Sequence, residues 1–215
     1  MKPVNTKPYH HGNLREELVR VGLELAHEGG ASAIKLREAA RRIGVSPSAA
    51  YRHFDGQEGL ASAVKAEILH QLTQAMSAEV EALPEGATPL EKICAAAHGF
   101  FDFAINSDGL YAALMETVKE LPHLSDELRP KVNGELTAIE EALPSDRYPF
   151  TYILTLVAQT NVHEGELIDA TLVMWAAVDG ITTLCSTGAL RNEPLEDKKR
   201  LLNKAMRALV SGLNL

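Results

Sequence analysis

Residues Leu36 to Phe54 read Leu-Arg-Glu-Ala-Ala-Arg-Arg-Ile-Gly-Val-Ser-Pro-Ser-Ala-Ala-Tyr-Arg-His-Phe. This stretch predicts a short helix over about 36–43, ended by Gly44, which can adopt the positive φ of a tight turn. Ser46-Pro47 then predicts an N-cap and a first helical residue, because proline lacks an N–H that this position would leave unpaired. Two short helices joined by such a turn form a helix-turn-helix, the unit that many regulators insert into the major groove of DNA.

The second of these helices, expected to run to about Phe54, has small and polar side chains on its exposed face. Small side chains at its start allow the backbone to enter a groove, Arg52 can contact a base edge or a phosphate, and the Tyr51 hydroxyl can bind phosphate. An ordinary α-hairpin within a helical bundle is the alternative interpretation. The predicted DNA-binding residues are Lys35, Arg37, Ser46, Ser48, Ala49, Tyr51, Arg52 and His53.

The charge of the chain is unevenly distributed. Its 215 residues carry 21 Lys and Arg against 29 Asp and Glu, for a net charge of −8. Residues 1–70, however, hold 10 basic and 8 acidic side chains, and residues 35–52 hold five basic side chains with Glu38 as the single acid. A basic patch on an acidic protein fits one surface that binds a polyphosphate. A solvated helix face would show the same charges, so charge alone leaves both interpretations open.

The rest of the chain predicts an all-α fold. Aromatic residues make up only 5% of the sequence, and apolar residues recur at helical spacing. A long helix from about Glu58 to Leu83, opened by Asp55 and Glu58 as a capping box, would connect two domains. Residues 150–157 favour a strand by local propensity, but we predict a helix because the sequence offers no partner strand. The other expected helices cover about 13–29, 88–106, 109–118, 125–143, 167–187 and 195–213.

Several classes of protein are disfavoured. No apolar stretch is expected to span a bilayer, and the first residues lack the apolar core of a signal peptide, so a cytoplasmic protein without membrane contact is expected. The two cysteines, Cys94 and Cys185, form no CxxC pair, which disfavours a disulfide framework and a zinc cluster. No catalytic constellation, metal site or cofactor motif is predicted.

Residues 10–70 resemble the DNA-binding domain of TetR-family transcriptional regulators. The resemblance rests on His11-Gly-Asn-Leu-Arg15, on the Gly-Val-Ser-Pro turn that begins at Gly44, and on Tyr51-Arg-His-Phe54. Family members usually carry a lysine shortly after that Phe, directed at a phosphate. Here Gln57 can form a hydrogen bond without neutralising charge, so Gln57 joins the predicted DNA contacts, with about one counterion fewer in the salt dependence.

The resemblance implies an all-helical homodimer whose C-terminal half, residues 71–215, binds a small molecule that releases the protein from DNA. The last two helices are expected to form the dimer interface. Two-fold symmetry then implies a pseudo-palindromic operator with half-site centres about 34–36 Å apart, or a multiple of this distance. Residues 175–180, Trp-Ala-Ala-Val-Asp-Gly, also resemble the Trp/His-Gly signature of one C-terminal subclass, with Asp179 where His is usual. A buried Asp179 would need a partner or a raised pKa.

Aromatic and methionine side chains of the C-terminal half can line an apolar ligand pocket, although plain core packing would explain each one singly. The acidic balance of this half favours a cationic ligand. The predicted function is a ligand-responsive transcriptional repressor. An all-helical small-molecule enzyme with an acidic catalytic half and a helical scaffold that does not bind DNA are the alternatives. The predicted ligand-binding residues are Phe100, Phe103, Tyr111, Met115, Tyr152, Trp175 and Asp179.

Overall fold

The computed structural model describes residues 14–117 and 144–212, and every regular element in these two ranges is a helix, as the sequence predicts. The predicted arm over residues 1–12 and the predicted helix over 125–143 lie outside the described residues. Short 3-10 turns, Ala31–Ala33 and Glu164–Glu166, precede the second and eighth helices. Numbered in chain order, the α-helices are α1 (Leu14–Gly29), α2 (Leu36–Ile43), α3 (Pro47–Tyr51), α4 (Gly56–Glu81), α5 (Pro89–Asn106), α6 (Asp108–Thr117), α7 (Pro149–Val157), α8 (Leu167–Ser186) and α9 (Leu195–Gly212).

The turn between α2 and α3 has the chemistry that the sequence predicts. Gly44 adopts a φ of 82°, and its N–H donates to the carbonyls of Ala40 and Arg41 at the end of α2. The Ser46 hydroxyl then accepts a 3.3 Å hydrogen bond from the Ala49 N–H and so caps α3. Regular α-helix ends at Tyr51, three residues before the predicted end. The N–H groups of Arg52 and His53 bond to carbonyls three residues earlier in the chain, the pattern of a 3-10 turn, instead of four residues earlier.

The first four helices form a compact N-terminal unit around the buried faces of α1 and α4. Gly22 permits the close approach of these two helices, since a Cβ at this position would lie only 2.4 Å from Cγ2 of Val64. The core of α1 consists of Leu14, Leu18, Val21 and Leu25, and Ala39, Ala40 and Ala50 bury α2 and α3 against it.

Helix α4 extends from this unit into the C-terminal half. Its 26 residues span about 39 Å at 1.5 Å per residue. Asp55 stands at its N-cap, but the predicted capping box is wrong there, because the Asp55 side chain accepts no capping hydrogen bond. At the start of α5 the box is present, with Thr88 and Glu91 each bonding the other's backbone N–H. Helix α5 then lies against α4 at Gly99, where a Cβ would come within 2.4 Å of the Ala75 carbonyl oxygen.

Helix α8 is buried along one side and exposed along the other. Its buried side packs on α5, α7 and α9, and α7 is a helix despite its strand-like sequence. By length and composition, α8 is the one helix among the described residues that could cross a membrane, although the sequence predicts no such stretch. Only 28% of this apolar stretch is buried within the protein, on the side that packs on α5, α7 and α9. Its exposed side carries Val173, Ala176, Gly180 and Leu184.

Candidate nucleic-acid interface and ligand cavity

The outer face of α3 is open to solvent. Tyr51 is 47% exposed, and Ser48, Arg52 and His53 are exposed beside it. The opposite face is anchored by Ala50, which is completely buried. The structure therefore leaves this short helix in a position to contact a large partner without rearranging the core.

All nine side chains predicted to contact DNA lie between the start of α2 and the first turn of α4. Lys35 is the exposed N-cap residue of α2, and Arg37 lies exposed in its first turn. The hydroxyls of Ser46 and Ser48 are 3.0 Å apart and hydrogen-bonded, while Ala49 is half-buried. Gln57 is exposed in the first turn of α4.

Two of the five basic side chains in residues 35–52 are neutralised within the protein. Arg41 binds the carboxylate of Glu38 through two nitrogens, at 2.7 and 2.8 Å, and Arg42 binds Glu28 at 2.6 and 2.7 Å and Glu38 at 3.2 Å. Hydrogen bonds from Arg41 and then Arg42 lower the pKa of Glu38 to about 2. Glu28 lies on α1, so a count of the charged residues within 35–52 does not include this partner of Arg42. Within the two described ranges, Lys35, Arg37 and Arg52 form no ion pair and present the positive charge of this surface.

Phe54 fixes the end of the α3 segment to the core. Its ring is 5% exposed, and the guanidinium carbon of Arg15 lies 5.0 Å from the ring centroid, in cation–π geometry. Two parts of the sequence that carry the family resemblance, Arg15 and Phe54, are therefore in direct contact.

A small cavity of about 10 Å³ lies among the helices of the C-terminal half. This volume is about that of a single water molecule. Phe100 and Trp175 are the two predicted ligand-binding residues that line it. Apolar side chains from α4, α5, α7, α8 and α9 complete the described part of the wall: Met76, Ile93, Ala97, Ile153, Met174, Val178 and Met206. Sequence reasoning missed these seven residues, although the spacing of Ile93 with Ala97 and of Met174 with Val178 marks buried helix faces.

The aromatic residues around this cavity form one connected cluster. The Trp175 ring meets Phe100 edge-on at a centroid distance of 5.3 Å and lies 5.9 Å from Phe150. Phe100 in turn meets Tyr111 edge-on at 6.0 Å. Phe100 thus connects the cavity wall to helix α6.

Tyr111 and Asp179 form a polar pair behind Phe100. The Tyr111 hydroxyl donates a 2.9 Å hydrogen bond to Oδ1 of Asp179 and lies 3.3 Å from Oγ1 of Thr183. Burial raises the pKa of Asp179, and the bond from Tyr111 only partly opposes this effect. Burial also raises the pKa of Tyr111. Asp179 is half-buried and has both a partner and a raised pKa, but it does not line the cavity.

The other three predicted ligand-binding residues lie at the edge of the core. Phe103 and Met115 are half-buried and pack against it, outside the cavity wall. Tyr152 is also half-buried, and burial raises its pKa. The structure thus brings Phe100, Tyr111, Trp175 and Asp179 together and leaves these three apart.

Comparison with known proteins identifies the family to which this chain belongs. Residues 18–64 match the family described as bacterial regulatory proteins, tetR family. Residues 93–209, more than half of the chain, match the tetracyclin repressor-like C-terminal domain. The chain belongs to the TetR family. This TetR-family chain is 24% identical over 202 residues to the uncharacterised HTH-type transcriptional regulator YobS of Bacillus subtilis. The aligned residues make up 94% of this chain and 93% of YobS.

Solved structures share the fold of this TetR-family chain. A protein of unknown function from Rhodococcus sp. RHA1 superposes with a TM-score of 0.71 at 23% identity, covering 97% of this chain and 99% of the other. The TetR regulator SCO7222 of Streptomyces coelicolor gives 0.64 at 17% identity, with coverages of 93% and 96%. The regulator FadR of Bacillus subtilis, solved in complex with stearoyl-CoA, gives 0.59 at 21% identity, with coverages of 92% and 98%.

Proposed function

We propose that this TetR-family chain is a homodimeric repressor that releases its operator when a small molecule enters the C-terminal half. The observation that carries the proposal is the exposed end of α3 and the two residues after it: Tyr51, Arg52 and His53 are open to solvent, as are Lys35 and Arg37 at the start of α2. Side chains of this kind contact base edges and phosphates when a short helix enters a major groove. The presence of stearoyl-CoA in FadR supports ligand binding by this fold.

The dimer interface in this proposal is the exposed side of α8 together with α9. Val173 and Leu184 are 45% and 46% exposed, and between them Ala176 and Gly180 offer little side-chain bulk. An apolar helix side with small residues at its centre allows a second helix to pack closely. On α9, Leu202 and Met206 are buried within the chain, so Leu195 and Leu201 are the exposed large apolar side chains that the helix offers to a partner.

Helix α6 is the connection that we propose between the ligand and the DNA-binding unit. Gly109 lies against the end of α1, where a Cβ would come within 2.2 Å of the His27 carbonyl oxygen. Glu116 accepts a 3.1 Å hydrogen bond from the Ala31 N–H, just before α2. Between these two contacts, Tyr111 binds Asp179 on α8. A ligand that displaces Phe100 would thus act on a helix that touches both halves.

The remaining parts of the proposal concern organisation and location. We place the boundary between the DNA-binding domain and the ligand-binding domain near residue 70, within α4. We assign the C-terminal domain to the Trp/His-Gly subclass, with Asp179 in place of His. A repressor of this kind works in the cytoplasm, where its operator is accessible.

Gel-shift and footprinting assays on the DNA upstream of the gene test this proposal. We expect a pseudo-palindromic site, symmetric protection of two half-sites, and affinity that falls steeply as salt rises. Asymmetric protection or binding independent of salt would contradict it. A failure to bind any genomic fragment at low salt would favour a scaffold without DNA-binding activity, and turnover of a candidate ligand would favour an enzyme.

A further inference from the structure

Four charged side chains from α1 and α2 form one ion-pair network. Glu38 accepts hydrogen bonds from Arg41 at 2.7 and 2.8 Å and from Arg42 at 3.2 Å. Glu28 accepts two more from Arg42, at 2.6 and 2.7 Å. Hydrogen bonds from Arg41 and then from Arg42 hold the pKa of Glu38 at about 2, so this carboxylate is ionised at neutral pH. The two acids balance the two bases, and the network adds no net charge to the surface that carries Lys35 and Arg37.

The two arginines of the network differ in how firmly they are held. The Arg42 side chain is 28% exposed and is bound by carboxylates from two helices. The Arg41 side chain is 72% exposed, and among the described residues Glu38 is its one ion-pair partner. Arg41 also lies one turn after Arg37 on α2, so the two side chains share a face of the helix. Loss of the Glu38 carboxylate would leave Arg42 bound to Glu28. It would release Arg41, beside a residue that is predicted to contact DNA.

We infer that Glu38 is a positioning residue that holds the Arg41 guanidinium in a neutral pair and so limits how strongly this surface binds DNA of any sequence. The inference rests on the proposed function, since it concerns the regulation of the same surface. Binding that is independent of sequence comes almost entirely from cations that neutralise phosphates. A phosphate that approaches Arg41 either meets the Glu38 carboxylate as well or must replace its two hydrogen bonds, so the pair adds little to this attraction. A low affinity for other DNA leaves more of the protein free to occupy its operator.

Glu38→Gln tests this role on DNA that contains no operator. The probe is a short fluorescein-labelled duplex of scrambled sequence, and fluorescence anisotropy measures its affinity over a range of salt concentrations. We expect Glu38→Gln to bind this duplex several-fold more tightly than wild type at low salt. We also expect the plot of log affinity against log salt to become steeper by about 0.9 for each protomer bound, because one more phosphate is neutralised.

Two further variants separate the release of Arg41 from a change in net charge. Glu38→Gln combined with Arg41→Ala has the net charge of wild type and should return to the wild-type slope. Glu17→Gln, on α1, makes the same change in net charge as Glu38→Gln. It should leave the slope unchanged, because Arg20, the partner of Glu17, also binds Glu24. Circular dichroism establishes that each variant is folded before titration.

The outcomes distinguish this inference from the proposed function. The inference is overturned by an unchanged slope in Glu38→Gln, by an equal steepening in Glu17→Gln, or by a steeper slope that persists after Arg41→Ala. An absence of binding to scrambled DNA by both wild type and Glu38→Gln at low salt would also overturn it. Operator binding by the wild-type protein is measured separately by gel shift. If wild type recognises no operator while Glu38→Gln shows the steeper slope on scrambled DNA, the repressor is contradicted and the role of Glu38 stands.

Discussion

The hydroxyl of Tyr111 donates a 2.9 Å hydrogen bond to Oδ1 of Asp179, and this bond joins α6 to α8 across 68 residues of sequence. Tyr111 is 1% exposed, and its ring also touches Phe100 in the wall of the cavity. One side chain therefore contacts the cavity wall, the proposed dimerisation helix and, through α6, the DNA-binding unit.

The Tyr111–Asp179 pair makes stability depend on pH in a direction that can be measured. Because burial raises the pKa of Asp179 above 3.8, the folded chain holds this proton where the unfolded chain has lost it. The contribution of Asp179 to the free energy of unfolding therefore falls as pH rises from about 3.8 through the raised pKa. Asp179→Asn keeps an acceptor for Tyr111 but does not titrate, so we expect it to be at least as stable as wild type at neutral pH.

Thermal unfolding followed by circular dichroism from about pH 4 to pH 8 measures this effect. Asp169→Asn, at an exposed position on the same helix, is the control for the loss of one carboxylate. An Asp179→Asn variant that is less stable than wild type at neutral pH would mean that the carboxylate is stabilising, against this prediction.

Substitutions at the exposed end of α3 should weaken DNA binding without lowering the stability of the protein. Arg52→Ala and Tyr51→Phe should weaken operator binding, by about 1–3 kcal/mol for Arg52 if it contacts a base edge. Both variants should unfold within about 1 kcal/mol of wild type, because both side chains are exposed. Fluorescence anisotropy on an operator fragment measures the affinity, with Arg200→Ala on α9 as the control for loss of an exposed arginine. Affinities equal to that of wild type would remove Arg52 and Tyr51 from the interface.

Gln57, in the first turn of α4, predicts an effect on salt dependence. Gln57→Lys should add one phosphate contact per protomer and steepen the plot of log affinity against log salt by about 0.9 for each contact. Gln74→Lys adds the same charge farther along α4 and should leave the slope unchanged. An equal change of slope in the two variants would indicate a general charge effect and no contact at Gln57.

A bulky charged residue at the centre of the exposed side of α8 should convert the proposed dimer into a monomer. A Cβ added at Gly180 meets nothing within 4 Å in the described part of the single chain, and Gly180 lies on the exposed side of α8, so the Gly180→Arg protomer should fold normally. In the proposed dimer the same side chain would place bulk and charge where a second α8 packs, and the dimer should dissociate. Analytical ultracentrifugation measures the mass, with Ala78→Arg at an exposed position of α4 as the control. A Gly180→Arg variant that remains dimeric would place the interface elsewhere.

Most of the fold could be predicted from the sequence because its signals are local. Ser46, Thr88 and Gly44 act on backbone groups within five residues, and the predicted helix ends near them agree with the structure. Asp55 shows the limit of such reasoning: the residue stands at the N-cap, yet its side chain makes no capping bond. A capping pattern fixes where a helix begins more reliably than which atoms bond there.

The sequence alone determined the order of the helices, the helix-turn-helix and the side chains of α3, because these depend on spacing and backbone conformation over a few residues. Tertiary structure decided which charges remain on the DNA-binding surface, since Glu28 reaches Arg42 from another helix. It also decided the composition of the cavity wall, to which five helices contribute, and the pairing of Tyr111 on α6 with Asp179 on α8. Contacts between residues far apart in sequence follow from helix packing, which no local pattern encodes.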